Sequence, residues 1–196
     1  TTIIHLIKLY DKIIFMKIKI VKDNNPLLRK RSEEVKLPLS SEDRETLNDM
    51  LNYLKLSQDD EYAKKYNIRA GVGLAAPQIG ILKRMFVIYY EKEEGKFVTY
   101  QLVNPRIIEN SIKKCALESG EGCLSVDDSH EGLVHRYYKI VMEAFDAFTN
   151  ENIVIKATGY DAIVLQHEFD HLNGMLYYDR IDKKAPNSRL FNEEII

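Results

Sequence analysis

TGYDAIVLQHEFDHLNG, residues 158–174, is the most informative stretch of this chain. A capping arrangement over Thr158–Asp161, a run of helix-compatible apolar residues and a terminating Gly174 predict a helix. Within it His167, Glu168 and His171 form HExxH. A four-residue separation on a helix puts both imidazoles on one face, where they can grip a single metal ion with Glu168 beside the water it activates. The competing reading is an ordinary pair of packed or solvated histidines.

Upstream of that helix lie runs with strand character at 84–91, 96–105, 135–146 and 151–157, all rich in Val, Ile, Tyr and Phe. Glu91–Gly95 and Phe148–Asn152 read as turns between neighbours, so antiparallel pairing is expected. Ser40–Asn67 reads as a second helical region. Leu47, Met50, Leu51 and Leu54 repeat at i, i+3, i+4 and i+7, Ser40 or Ser41 can cap the start, and Glu42 and Asp43 suit the positive end of the helix dipole. The polar stretch 59–69 is expected to lengthen the connection into GVGLAAPQIG at 71–80. The fold class is therefore α+β, with mostly antiparallel sheets packed around a central C-terminal helix that carries HExxH, and an N-terminal helix.

A chain of 196 residues, 45% hydrophobic, can bury one sizeable core. Its formal charge of −2 offers no broad basic field to nucleic acid or anionic lipid. The two cysteines, Cys115 and Cys123, do not make a secreted disulfide scaffold. The opening 20 residues are apolar, but His5, Lys8, Asp11, Lys12, Lys17 and Lys19 interrupt them, which argues against a membrane span, and they lack a clean secretory signal. Residues 1–15 are expected to be an N-terminal extension, with Met16 a candidate natural start, and 16–196 one catalytic domain.

A catalytic zinc-type site needs a third protein ligand. Six residues after His171 stands Tyr177, a poor ligand, and the only later glutamates are Glu193 and Glu194, so neither familiar zinc-protease pattern is supported. Cys123, in EGCLS at 121–125, is the best remaining candidate: a thiolate and two imidazoles suit zinc or ferrous iron and leave a fourth position open. Two other readings remain open. Cys123 could act as a histidine-activated nucleophile in a thiol hydrolase or acyl transferase, or the three residues could form a structural or peptide-binding site without catalysis.

GVGLAAPQ, EGCLS and QHEFDHLNG, in this order, resemble the three signature motifs of the polypeptide deformylases. KDNNPLLRKRSEEV from residue 22, VNP at 103–105 and GYDAIVLQHE at 159–168 extend the likeness over roughly residues 18–184. The longer approach to the first motif and EGCLSVDDSHEGLVHR resemble the class common in Gram-positive bacteria, with Asp127 where the family commonly has proline. The resemblance implies a hydrolase that removes the N-formyl group from the formyl-methionine of nascent polypeptides and releases formate. It implies one divalent metal held by Cys123, His167 and His171, natively Fe2+ in many members and replaceable by Zn2+, Ni2+ or Co2+. It also implies Glu168 as proton carrier, and the Gln78 amide and Leu124 backbone N–H as oxyanion donors.

The glycine-rich segment is expected to dock the peptide in extended form, with Val72, Gly73, Gly122 and Val164 contacting substrate, although the glycines alone fit an ordinary turn as well. Glu121 and Arg136 read as an ion pair or as merely solvated charges, and Asp170 as a support for its neighbouring ligand or as surface. The expected partners are N-formylated nascent peptides, with ribosome contact transient at most, no direct sequence-specific nucleic-acid binding and no membrane binding. The expected compartment is the cytoplasm, the alternative being an organelle with bacterial-type translation.

Overall fold

The computed structural model describes residues 18–196, so the N-terminal extension and Met16 lie outside the described residues. Helix α1 spans Ser41–Ser57. The Ser40 hydroxyl accepts the Asp43 N–H at 3.1 Å, the expected cap. The helical pattern does not continue unbroken to Asn67. It stops at Gln58, and Asp59 caps a separate short helix, α2, over Asp60–Tyr66. The expected polar connection is thus partly helical, because Asp59 accepts the Tyr62 N–H and Asn67 closes the segment in the left-handed conformation.

The strands are β1 (Gly73–Ala75), β2 (Met85–Glu93), β3 (Lys96–Asn110), β4 (Lys114–Ala116), β5 (Arg136–Tyr137), β6 (Lys139–Asp146), β7 (Glu151–Thr158) and β8 (Glu194–Ile195). A five-stranded sheet runs β1-β2-β3-β6-β7, antiparallel throughout. In the smaller sheet, of order β5-β4-β8, the β4–β8 pair is parallel. The predicted run 135–146 divides because Arg136–Tyr137 pairs with β4, whereas Lys139–Asp146 pairs with β3 and β7.

Side-chain alternation along β2 explains why its first six residues, Met85–Tyr90, are apolar or aromatic without a break. Met85 and Val87 join Leu47, Met50, Leu51 and Leu54 of α1 on one face. Phe86, Ile88 and Tyr90 join Ala162, Val164 and Leu165 on the other. The latter three belong to α3, Tyr160–His171. Burying each Leu- or Ile-sized side chain contributes about 1.5–3 kcal/mol. The sheet is therefore fixed between two helices, and α3 is held by its apolar side while its polar residues meet β1.

The helix α3 starts without the predicted side-chain cap: Gly159 is its N-cap and makes no side-chain bond. Asp161 instead accepts from the Tyr90 hydroxyl and Lys92, both at 2.5 Å, which ties the first turn to β2. At the far end Gly174 has φ +73°, and a Cβ there would lie 2.4 Å from the Arg29 carbonyl oxygen. Only glycine both adopts that conformation readily and admits so close a backbone. Among the described residues no helix is long and apolar enough to cross a membrane.

Candidate metal centre and cleft

The last two turns of α3 deliver His167, Glu168 and His171 to one end of the sheet, and the loop after β4 delivers Cys123. The donor atoms of Cys123, His167 and His171 all lie within 4.8 Å of one another. Cys123 Sγ is 3.3 Å from His171 Nε2, and the two Nε2 atoms are 3.3 Å apart. Two nitrogens bound at about 2.0–2.1 Å to one tetrahedral ion stand about 3.3 Å apart, so these residues fit a metal.

The surroundings favour a cation. His167 Nδ1 lies 2.8 Å from Glu121 Oε2, an arrangement that leaves Nε2 for the metal. Burial disfavours a charged His167, yet the Cys123 sulfur and the Glu121 carboxylate outweigh it and raise its pKa well above the usual value. Surroundings that favour positive charge at His167 suit a metal cation as well as a proton. His171 shifts the opposite way, driven by burial and then by His167, and so offers neutral imidazole.

Glu121 and Arg136 are buried, and so is Asp170; none is a solvated surface charge. Arg136 Nε and Nη2 reach the two Glu121 oxygens at 2.6 and 2.9 Å. Its Nη1 reaches Asp170 at 2.8 Å, and Arg180 grips Asp170 with two bonds of 2.6 Å. Burial works against the charge on Glu121, but Arg136 holds its pKa down at about 2. The chain Arg180–Asp170–Arg136–Glu121–His167 thus supports the His167 ring directly and the helix turn bearing His171.

Gln78, buried in the short 3-10 turn after β1, is fixed at both ends of its amide. Its Oε1 accepts the Ala75 N–H at 2.8 Å, while its Nε2 donates to Ser125 Oγ at 3.2 Å and lies 3.4 Å from Cys123 Sγ. Glu168 is buried, and its Oε2 has no hydrogen-bond partner among the described residues. Burial pushes its pKa up to about 7, into the range where it can take and give a proton near neutrality.

Gly73 has a specific reason to be glycine. A Cβ there would lie 2.2 Å from Glu168 Oε1, so β1 and the carboxylate can pack together only without a side chain. The turn reading of this glycine gives way to close approach. Sequence alone did not single out Leu117, Tyr160 and Ile163, which also line the cleft of about 340 Å³ above the site; they are apolar or aromatic residues with no local chemical signal. Val72, Gly73, Gln78, Gly122, Cys123, Leu124, Val164, His167 and Glu168 line it too, and His171 lies beneath.

Comparison with known proteins identifies the family. The family model "Polypeptide deformylase" matches residues 17–187. A peptide deformylase of Macrococcus caseolyticus is 51% identical over 168 residues, 85% of this chain and 91% of that protein. "Peptide deformylase 2" of Bacillus subtilis is 48% identical over 167 residues, 85% and 90% of the two chains. The crystal structure of peptide deformylase from Thermotoga maritima superposes with a TM-score of 0.64 at 33% identity, covering 84% of this chain and 97% of that one. A match spanning the whole described cleft, joined to relatives near half identical, makes the chain a member of the polypeptide deformylase family, hydrolases that take the N-formyl group off nascent polypeptides.

Proposed function

We propose that residues 16–196 act as one catalytic unit in which Cys123, His167 and His171 hold a single divalent cation, natively Fe2+, with Zn2+, Ni2+ or Co2+ able to substitute. The convergence of one sulfur and two nitrogens beside a buried, partnerless glutamate oxygen carries this reading. When bound, the cation supplies Lewis acidity and makes hydroxide accessible near neutral pH. Glu168 accepts the proton released from water and hands it to the departing amine. The formyl C–N bond breaks, the water oxygen leaves in formate, and the peptide gains a free α-amino group. The Gln78 amide and Leu124 N–H stabilise charge on the formyl oxygen, while Val72, Gly73, Gly122 and Val164 seat formyl-methionine and the first peptide bonds. N-formylated nascent chains as substrate are in keeping with work in a compartment that carries out bacterial-type translation, the cytoplasm first among them, and with ribosome contact no more than transient.

Formate release from formyl-Met-Ala-Ser, measured on protein purified anaerobically, is expected to vanish with a chelator and return with ferrous iron or nickel. Full activity after metal removal would instead favour the thiol-hydrolase reading. Gln78→Ala is expected to lower kcat by about 10²–10³-fold while KM changes little, because an oxyanion donor acts mainly in the transition state. A change confined to KM would make Gln78 a binding residue.

A further inference from the structure

We propose that Arg69 is a positioning residue for the deformylase reaction, a cationic clamp that sets the orientation of the Cys123–Asp127 segment. One atom does the work: Arg69 Nη2 lies 3.0 Å from the Cys123 carbonyl oxygen, 3.2 Å from that of Leu124 and 2.9 Å from that of Val126. It also lies 3.2 Å from Asp127 Oδ1. Lys22 Nζ joins from another part of the chain, 3.1 Å from the Leu124 oxygen and 2.7 Å from Asp127 Oδ1. The two hydrogens of this one guanidinium nitrogen are shared among three carbonyls of a four-residue stretch, and charge-assisted contacts of this kind are stronger than neutral ones.

The consequence for the site follows from the peptide unit. The Cys123 carbonyl and the Leu124 N–H belong to one planar trans peptide, so they point in opposite directions. Holding the carbonyl on Arg69 therefore fixes the direction of the Leu124 N–H and, through the same backbone, the base of the Cys123 side chain. Arg69 lines the same cleft as Cys123 and Leu124 and stands four residues before Gly73, so it also ties the approach to β1 to the loop that bears Cys123. Asp127, standing where the family commonly has proline, contributes by holding both cations over the carbonyls. The Arg69 and Asp127 side chains are 51% and 66% exposed, so their direct ion pair is screened and the carbonyl bonds carry the effect.

The proposal rests on the assignment of Leu124 as an oxyanion donor, and the experiment separates the two. Hydrogen exchange is followed by mass spectrometry on metal-free and metal-loaded protein, alongside steady-state kinetics with formyl-Met-Ala-Ser. Arg69→Ala is expected to speed exchange across residues 124–127 at least tenfold and leave α3 protected. It is expected to lower kcat at least tenfold with KM changed less than threefold and metal content unchanged. Arg69→Lys is expected to recover much of both, because a single cationic centre makes all the contacts, and Asp127→Ala is expected to be milder than Arg69→Ala. Unchanged exchange at 124–127 in Arg69→Ala overturns the clamp. Faster exchange with undiminished kcat upholds the clamp's structural part but overturns its role in the reaction. An inactive metal-loaded wild type would sink the deformylase reading while leaving the exchange result to stand by itself.

Discussion

Glu168→Ala is expected to retain one metal per chain and lose about 10²–10⁴-fold in kcat, the usual worth of a positioned proton carrier. Glu168 is not itself one of the proposed ligands, so metal analysis of the variant should match the parent. Glu168→Gln separates chemistry from shape, since it keeps the volume packed against Gly73 and removes only the basic oxygen. That variant should be equally inactive and, in metal-free protein near neutral pH, more stable. A carboxyl whose pKa rises from 4.5 to about 7 on folding costs nothing below the lower value, and its cost grows as pH climbs between the two. Above pH 7 that cost reaches up to about 3 kcal/mol, recovered when the ionisable group is removed. Melting curves at pH 5 and pH 8 check the sign: the stabilisation of Glu168→Gln should be larger at pH 8. Wild-type turnover in either variant would remove Glu168 from the mechanism.

Arg136→Met should be the most damaging single change to stability away from the apolar core. Its side chain is 1% exposed and neutralises two buried carboxylates, Glu121 and Asp170. Removing the shared partner of a buried ionic group typically costs about 3–5 kcal/mol, because the stranded charges stay out of water. Glu121→Gln in the same chain should recover part of the loss, as one stranded carboxylate becomes a neutral amide. Urea unfolding of the metal-free variants measures both effects. A loss under about 1 kcal/mol would show that Arg180 and His167 suffice to hold the two carboxylates.

The parts of this molecule written in short-range pattern were legible in the sequence. His167 and His171 declare themselves by spacing, and α1 by its repeat of Leu47, Met50, Leu51 and Leu54. The long strands declare themselves by composition. What escaped depends on contacts between distant segments. β1, β4 and β8 span two or three residues each, too few for a period, and exist because a neighbour is there to pair with. Glu121, Arg136 and Asp170 look like any exposed charges until burial is known, and burial is a property of the finished packing. Gly73 was read as a substrate-facing position or part of an ordinary turn; that its lack of a side chain also makes room for Glu168 shows only in the packing. Arg69 carried no motif at all, and its partners lie 54–58 residues away in the chain.

Cys123 and His171 are separated by 48 residues, and β6 and β7 lie between them in the chain. Closing that loop costs conformational entropy that the intervening strands must first offset by pairing. A chain still lacking α3 has at most one of the three donors, and a chain with α3 but an unpaired sheet cannot bring the sulfur to the imidazoles. With the ligand set proposed above, capture of an ion belongs late in the protein's maturation, after the sheet has paired and α3 has docked.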